Sequence, residues 1–243
     1  MPIQRTTIEF GNRLLTFVLI IIALLTFIVV RRATRSERFG LTWPALALGL
    51  GIIAQALLGG VTVLTGLNPW IVGAHFLVSG ILISIAAVLV FRIYSPRHKP
   101  IAYGSVVLAW PIFFIGWIAV LIGILVTGAG PHSGDANTGR NGLDLEIWQH
   151  YHSYPAYLMT ALILISLFLA IRSTGLNSPV NKATLSLLLL FAISLVQALI
   201  GIIQSRLGVP PLLAAAHMLG ASLIIAGLTF QLLTLRSKFQ RVR

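Results

Sequence analysis

Three histidines that lie in apolar stretches of this 243-residue chain could bind a metal ion: His75, His152 and His217. An ionisable side chain is costly to place in lipid, so such a residue serves either a function or a hydrogen bond to a neighbouring helix. The chain has no cysteine, which excludes disulfides, thiolate metal sites, iron–sulfur clusters and cysteine nucleophiles. Any metal chemistry must therefore use imidazole.

Two of these histidines are equivalent in an internal repeat. Residues 55–76 (QALLGGVTVLTGLNPWIVGAHF) align without a gap with residues 197–218 (QALIGIIQSRLGVPPLLAAAHM), which pairs His75 with His217. In each copy the histidine lies six residues after the proline that starts its helix. An even number of helices separates the copies, so the repeat is parallel. An imidazole kept in both copies favours a ligand role over a structural hydrogen bond.

The repeat extends backwards, where residues 8–15 (IEFGNRLL) align with residues 148–155 (WQHYHSYP). His152 then lies near the start of one helix and His217 near the start of another. Two imidazoles from facing helices suit a six-coordinate haem b. His150 is the alternative ligand and points about 200° away around the helix. The alignment favours His152.

The first copy has an acid and an amide where the second has Gln149 and His152: Glu9 and Asn12. His75 is the one clear ligand in this half, because asparagine is a poor haem ligand. The sequence therefore predicts a more open iron site here, with a carboxylate nearby. The alternative is that Glu9 pairs with Arg13, four residues later, in the first turn of its helix.

Apolar helices must position these residues. The chain is 57% hydrophobic and 9% charged, and its mean hydropathy is +0.96, which excludes a soluble globular enzyme. The expected fold is an all-α polytopic membrane protein with two pseudo-symmetric bundles of three and four helices, over residues 1–100 and 101–243. Seven apolar runs predict the spans: near residues 10–30, 43–66, 70–92, 102–127, 148–171, 183–206 and 211–235.

The net charge of +12 lies between and after these runs. Thirteen of the 17 Lys and Arg residues fall in segments 31–42, 92–100, 172–182 and 236–243. By the positive-inside rule these segments face the cytoplasm and the anionic inner leaflet, so membrane lipid rather than nucleic acid is the expected partner of the charge. The N-terminus is then outside and the C-terminus inside, and we expect an upstream helix to deliver that N-terminus.

Several motifs resemble those of the haem A synthase family of the cytochrome oxidase assembly pathway. They are IEFGNRLL, the glycine-rich hairpin that ends in His75, the loop TGAGPHSGD at residues 127–135, and the second hairpin that ends in His217. Members of this family have eight helices in two four-helix halves. The resemblance therefore implies that this chain corresponds to helices two to eight.

The resemblance also implies an activity, the conversion of haem O to haem A in the cell membrane by oxidation of a ring methyl to a formyl group. It implies haem b between His152 and His217, substrate haem near His75 and Asn12, and Glu9 close to the reacting methyl. Haem O synthase, cytochrome oxidase assembly factors and a second copy of the chain are the partners expected of such a protein. A non-catalytic di-haem b membrane cytochrome is the alternative function.

Overall fold

The computed structural model describes residues 2–33, 40–94, 103–131, 138–174 and 182–236. These residues form seven α-helices and no strand. Each helix is long and apolar enough to cross a bilayer, which confirms the predicted number of spans in a multi-pass membrane protein. The helices are α1 (Pro2–Arg32), α2 (Thr42–Leu64), α3 (Pro69–Tyr94), α4 (Tyr103–Ala129), α5 (Leu145–Thr174), α6 (Lys182–Arg206) and α7 (Pro211–Arg236).

Helix α5 begins three residues before the apolar run because Asp144 caps it. The Asp144 carboxylate accepts the Ile147 backbone N–H over 2.9 Å, and the Asp144 carbonyl accepts the N–H of Trp148 over 3.1 Å. A side-chain acceptor at this position satisfies a backbone donor that has no partner inside the helix. As a result His152 lies in the second or third turn of α5 rather than at its beginning.

The α2–α3 and α6–α7 hairpins turn in the same way. Gly66 and Leu67 have φ of +63° and +59°, and Gly208 and Val209 have φ of +72° and +59°. In each turn the second residue donates its N–H over 2.7 Å to a carbonyl five residues earlier, as in a Schellman motif. A proline then begins the next helix in both hairpins, where its missing N–H costs nothing.

Helices α4 to α7 form a closed ring in which α4 and α6 each pack on both α5 and α7. Their buried apolar side chains form one core that includes Ile112, Ile163, Leu187 and Leu228. Helix α2 packs between α1 and α3, and α3 also contacts α4 and α7. The pseudo-symmetry of two bundles stays a prediction, and the boundary expected at residues 100 and 101 lies outside the described residues.

We predict that Gly66→Ala lowers the free energy of unfolding by about 1 to 2 kcal/mol, because an L side chain in the left-handed region is strained. No neighbouring atom lies where the new Cβ would be placed, so the backbone conformation alone causes the loss. Gly60→Ala is the control, since it adds a methyl in equally open space within α2. Unfolding in detergent measures both variants, and equal stabilities would contradict the prediction.

Candidate functional site

Two of the predicted ligand residues, His152 on α5 and His217 on α7, meet inside the ring of α4 to α7. Their imidazole centroids are 6.2 Å apart and their planes are inclined at 71°. Helices α5 and α7 are opposite one another in the ring, and within the described residues their backbones do not come into contact. The two side chains therefore reach across the interior of the ring towards each other.

His152 is oriented by α4. Its Nδ1 lies 2.9 Å from the carbonyl oxygen of Ala119. Because a carbonyl can only accept a hydrogen bond, Nδ1 carries the hydrogen and Nε2 keeps a free lone pair. One turn further along α4, a Cβ at Gly123 would come within 2.9 Å of Cε1 of His152. The imidazole thus occupies space that any other residue at position 123 would take.

His217 is oriented by α6 in a different way. A Cβ at Gly201 would lie 3.1 Å from Cε1 of His217 and 3.6 Å from its Nδ1, so this edge of the ring packs against the α6 backbone. The Gln197 amide, one turn earlier on α6, donates from Nε2 to the His217 backbone carbonyl over 2.8 Å. Gly220 leaves room for this amide, since a Cβ there would overlap Oε1 of Gln197.

His75 has the same surroundings in the first hairpin. A Cβ at Gly59 would lie 3.3 Å from Cε1 of His75 and 3.8 Å from its Nδ1. Nε2 of Gln55 donates to the His75 carbonyl over 2.9 Å and also to Oγ of Ser79. The repeated sequence therefore builds the same histidine, glycine and glutamine contact twice.

The profile of the COX15-CtaA family, whose members are cytochrome oxidase assembly proteins, matches residues 3–143. That segment is more than half of the chain. The chain belongs to the COX15-CtaA family. A comparison with individual curated proteins gave no match. Membership implies a role in cytochrome oxidase assembly and agrees with the family resemblance seen in the sequence motifs.

The COX15-CtaA match contains three predicted site residues: Glu9, Asn12 and His75. Glu9 and Asn12 belong to the backbone of α1, but their side chains lie outside the part of the chain that the structure describes. His152 and His217 follow the matched segment, so their assignment depends on the repeat and on their mutual geometry. Their roles stay predictions.

His150 lies on α5 but makes a different contact. Its Nδ1 is 2.8 Å from the carbonyl oxygen of Glu146, one turn earlier in the same helix, and the side chain is exposed. Within the described residues His152 is the α5 histidine whose ring contacts His217. This geometry favours His152 over the alternative ligand.

The described part of this COX15-CtaA chain has no group of three or more His, Asp or Glu residues able to hold a metal ion. The His152–His217 pair supplies two protein ligands, and further donors would have to come from a bound molecule. Gln55, Gln197 and Gly123 were not among the site residues predicted from the sequence. The two glutamines stand 20 residues before a histidine in both copies, and this repeated spacing is the signal that could have found them.

We predict that Gly123→Val displaces the His152 ring and lowers the free energy of unfolding by about 1 to 3 kcal/mol, because overpacking forces side chains off their preferred rotamers. Gly49→Val is the matched control, since Gly49 faces open space on α2. Denaturant titration in detergent compares the two variants. A Gly123→Val protein as stable as its control would show that the ring is not confined by α4.

Proposed function

We propose that this protein is a haem A synthase, which oxidises a ring methyl of haem O to a formyl group by successive hydroxylations. The observation that carries the proposal is the separation of His152 and His217. Imidazole is a common ligand of haem iron. The two rings approach each other to 6.2 Å between centroids, so His152 and His217 are the residues that would hold one iron.

Haem b fits this pair better than a free metal ion does. The pair supplies two protein ligands, and haem b would bring its remaining iron donors with it, so His152 and His217 would be sufficient to hold it. The bond from His152 to the Ala119 carbonyl is the kind of outer contact that fixes the tautomer of a ligating histidine. When bound, haem b supplies a one-electron redox couple, which supports an electron-transfer role for this half.

The first half is proposed to hold the substrate. His75 repeats the setting of His217 against Gly59 and would bind the substrate iron. Asn12 would contribute little to holding that iron, because amides are poor haem ligands. Glu9 would place its carboxylate beside the methyl that is oxidised. Together these roles make one half a redox site and the other a reaction site.

The same proposal assigns the protein a place in the cell membrane, with the N-terminus outside and the C-terminus in the cytoplasm. The distribution of Lys and Arg supports this orientation. Haem O is hydrophobic, so its supply by haem O synthase and the delivery of haem A to cytochrome oxidase assembly factors both fit a membrane location. Self-association of the chain is compatible with this role.

We predict that His152→Ala and His217→Ala each abolish the low-spin haem b spectrum of the purified protein, because removal of either imidazole leaves the iron five-coordinate. His150→Ala is the matched control on the same helix and keeps the spectrum, since His150 bonds to its own helix. Optical spectra of the reduced and oxidised protein test all three. Loss of the low-spin signal in the His150 variant alone would overturn the ligand assignment.

We further predict that co-expression with a source of haem O yields haem A or its hydroxylated precursor, identified by extraction and mass analysis. Glu9→Ala is expected to abolish these products while the haem b spectrum remains, because Glu9 belongs to the substrate half. Detection of haem b alone, with every measured property unchanged in Glu9→Ala, would instead identify a non-catalytic di-haem b cytochrome.

A further inference from the structure

In each copy of the repeat, the histidine and the glutamine each have one buried polar atom that finds no hydrogen-bond partner among the described residues. In the second copy these atoms are Nδ1 of His217 and Oε1 of Gln197. In the first copy they are Nδ1 of His75 and Oε1 of Gln55. Buried polar atoms are rarely left without a hydrogen bond in native proteins. The same two unsatisfied atoms in both copies therefore require an explanation.

The orientation of each glutamine amide is decided by its contact with the histidine backbone. Gln197 approaches the His217 carbonyl at 2.8 Å, and Gln55 approaches the His75 carbonyl at 2.9 Å. A carbonyl only accepts, so the amide nitrogen must face it. In the structure Oε1 of Gln197 lies against Gly220. Like Oε1 of Gln55, it has no hydrogen-bond partner among the described residues, and it belongs to an amide already bonded to the histidine whose Nδ1 is unpaired.

A histidine that binds a metal through Nε2 carries its hydrogen on Nδ1, and this hydrogen normally bonds to an acceptor outside the metal's own ligands. For His152 that acceptor is the Ala119 carbonyl. His217 and His75 have no such bond among the described residues. In both cases the Nδ1 edge of the ring lies towards the helix that carries the glutamine.

We propose that Gln197 and Gln55 are positioning residues: Oε1 of each accepts the Nδ1–H of His217 or His75 when that histidine binds iron through Nε2. The inference rests on the proposed function, because it concerns the same haem sites. Gln55 is held by the additional bond to Ser79, whereas the second copy has Ala221 at the matching position. The substrate histidine thus has the more tightly held glutamine of the two.

The test uses the full chain purified with haem b, and it measures haem affinity and midpoint potential. Gln197→Leu removes the acceptor, so we expect about a 10-fold loss of haem affinity and a higher potential, because a less basic imidazole stabilises ferric iron less. Gln197→Glu keeps an acceptor oxygen but loses the N–H that bonds to the His217 carbonyl, and its charge alone lowers the potential. Gln204→Glu adds the same carboxyl group two turns along α6, so we expect the potential of Gln197→Glu to fall below that of Gln204→Glu. A purely structural role would not separate the potentials of these two variants in this direction.

Gln204→Leu is the matched control. Gln204 lies two turns along α6, and its buried Oε1 likewise has no partner within the described residues, but no hydrogen bond there joins its side chain to His217. We expect its haem affinity and potential to match those of the unsubstituted protein. An equal shift in Gln204→Leu, or an unchanged potential in Gln197→Leu, would overturn the inference.

If Gln197→Leu does not fold, the comparison of Gln197→Glu with Gln204→Glu decides alone, and a potential of Gln197→Glu at or above that of Gln204→Glu overturns the inference. For the first copy, Gln55→Leu is expected to weaken haem O binding about 10-fold, and unchanged binding would refute the role of Gln55. An unsubstituted protein without a low-spin haem b spectrum would refute the proposed function itself, whereas a normal spectrum with insensitive potentials refutes this inference only.

Discussion

An imidazole ring packed against a glycine of the neighbouring helix is the contact on which this arrangement depends. It occurs between His75 and Gly59 and again between His217 and Gly201. In an apolar bundle a polar residue must be held by close packing of its side chain and by hydrogen bonds from adjacent helices, here to the histidine backbone, because lipid offers it no partner. Glycine allows the backbone to come close enough for both.

The hairpin turns determine where this contact occurs. Each histidine follows its glycine by 16 residues, and the same turn, with two consecutive left-handed residues and then a helix-starting proline, joins the two helices. Because the spacing and the turn are the same in both hairpins, each histidine comes to lie level with its glycine on the neighbouring helix. The glutamine one turn before the glycine is then carried to the histidine backbone in both copies.

The two halves differ in what surrounds the repeated hairpin. In the second half, α4 closes the ring and supplies the Ala119 carbonyl that orients His152, so two imidazoles face each other across an enclosed interior. In the first half, α1 packs on α2 alone among the described helices. The proposed electron-transfer role of the second half agrees with this arrangement, since the His152–His217 pair lies inside the ring of α4 to α7.

Residue types and their periodicity predicted the seven helices, the repeat and the candidate histidines, because long apolar runs in lipid can only be helices and a gapless repeat preserves position. The predicted start of α5 was less accurate, because capping by Asp144 extends the helix beyond its apolar run. Sequence spacing also could not show which helix faces His152 or what its Nδ1 contacts. Only the tertiary structure decided that Ala119 and Gly123 contact the His152 ring and that the two glutamines bond to the backbone carbonyls of His75 and His217, because those contacts join residues that are 20 or more positions apart on different helices.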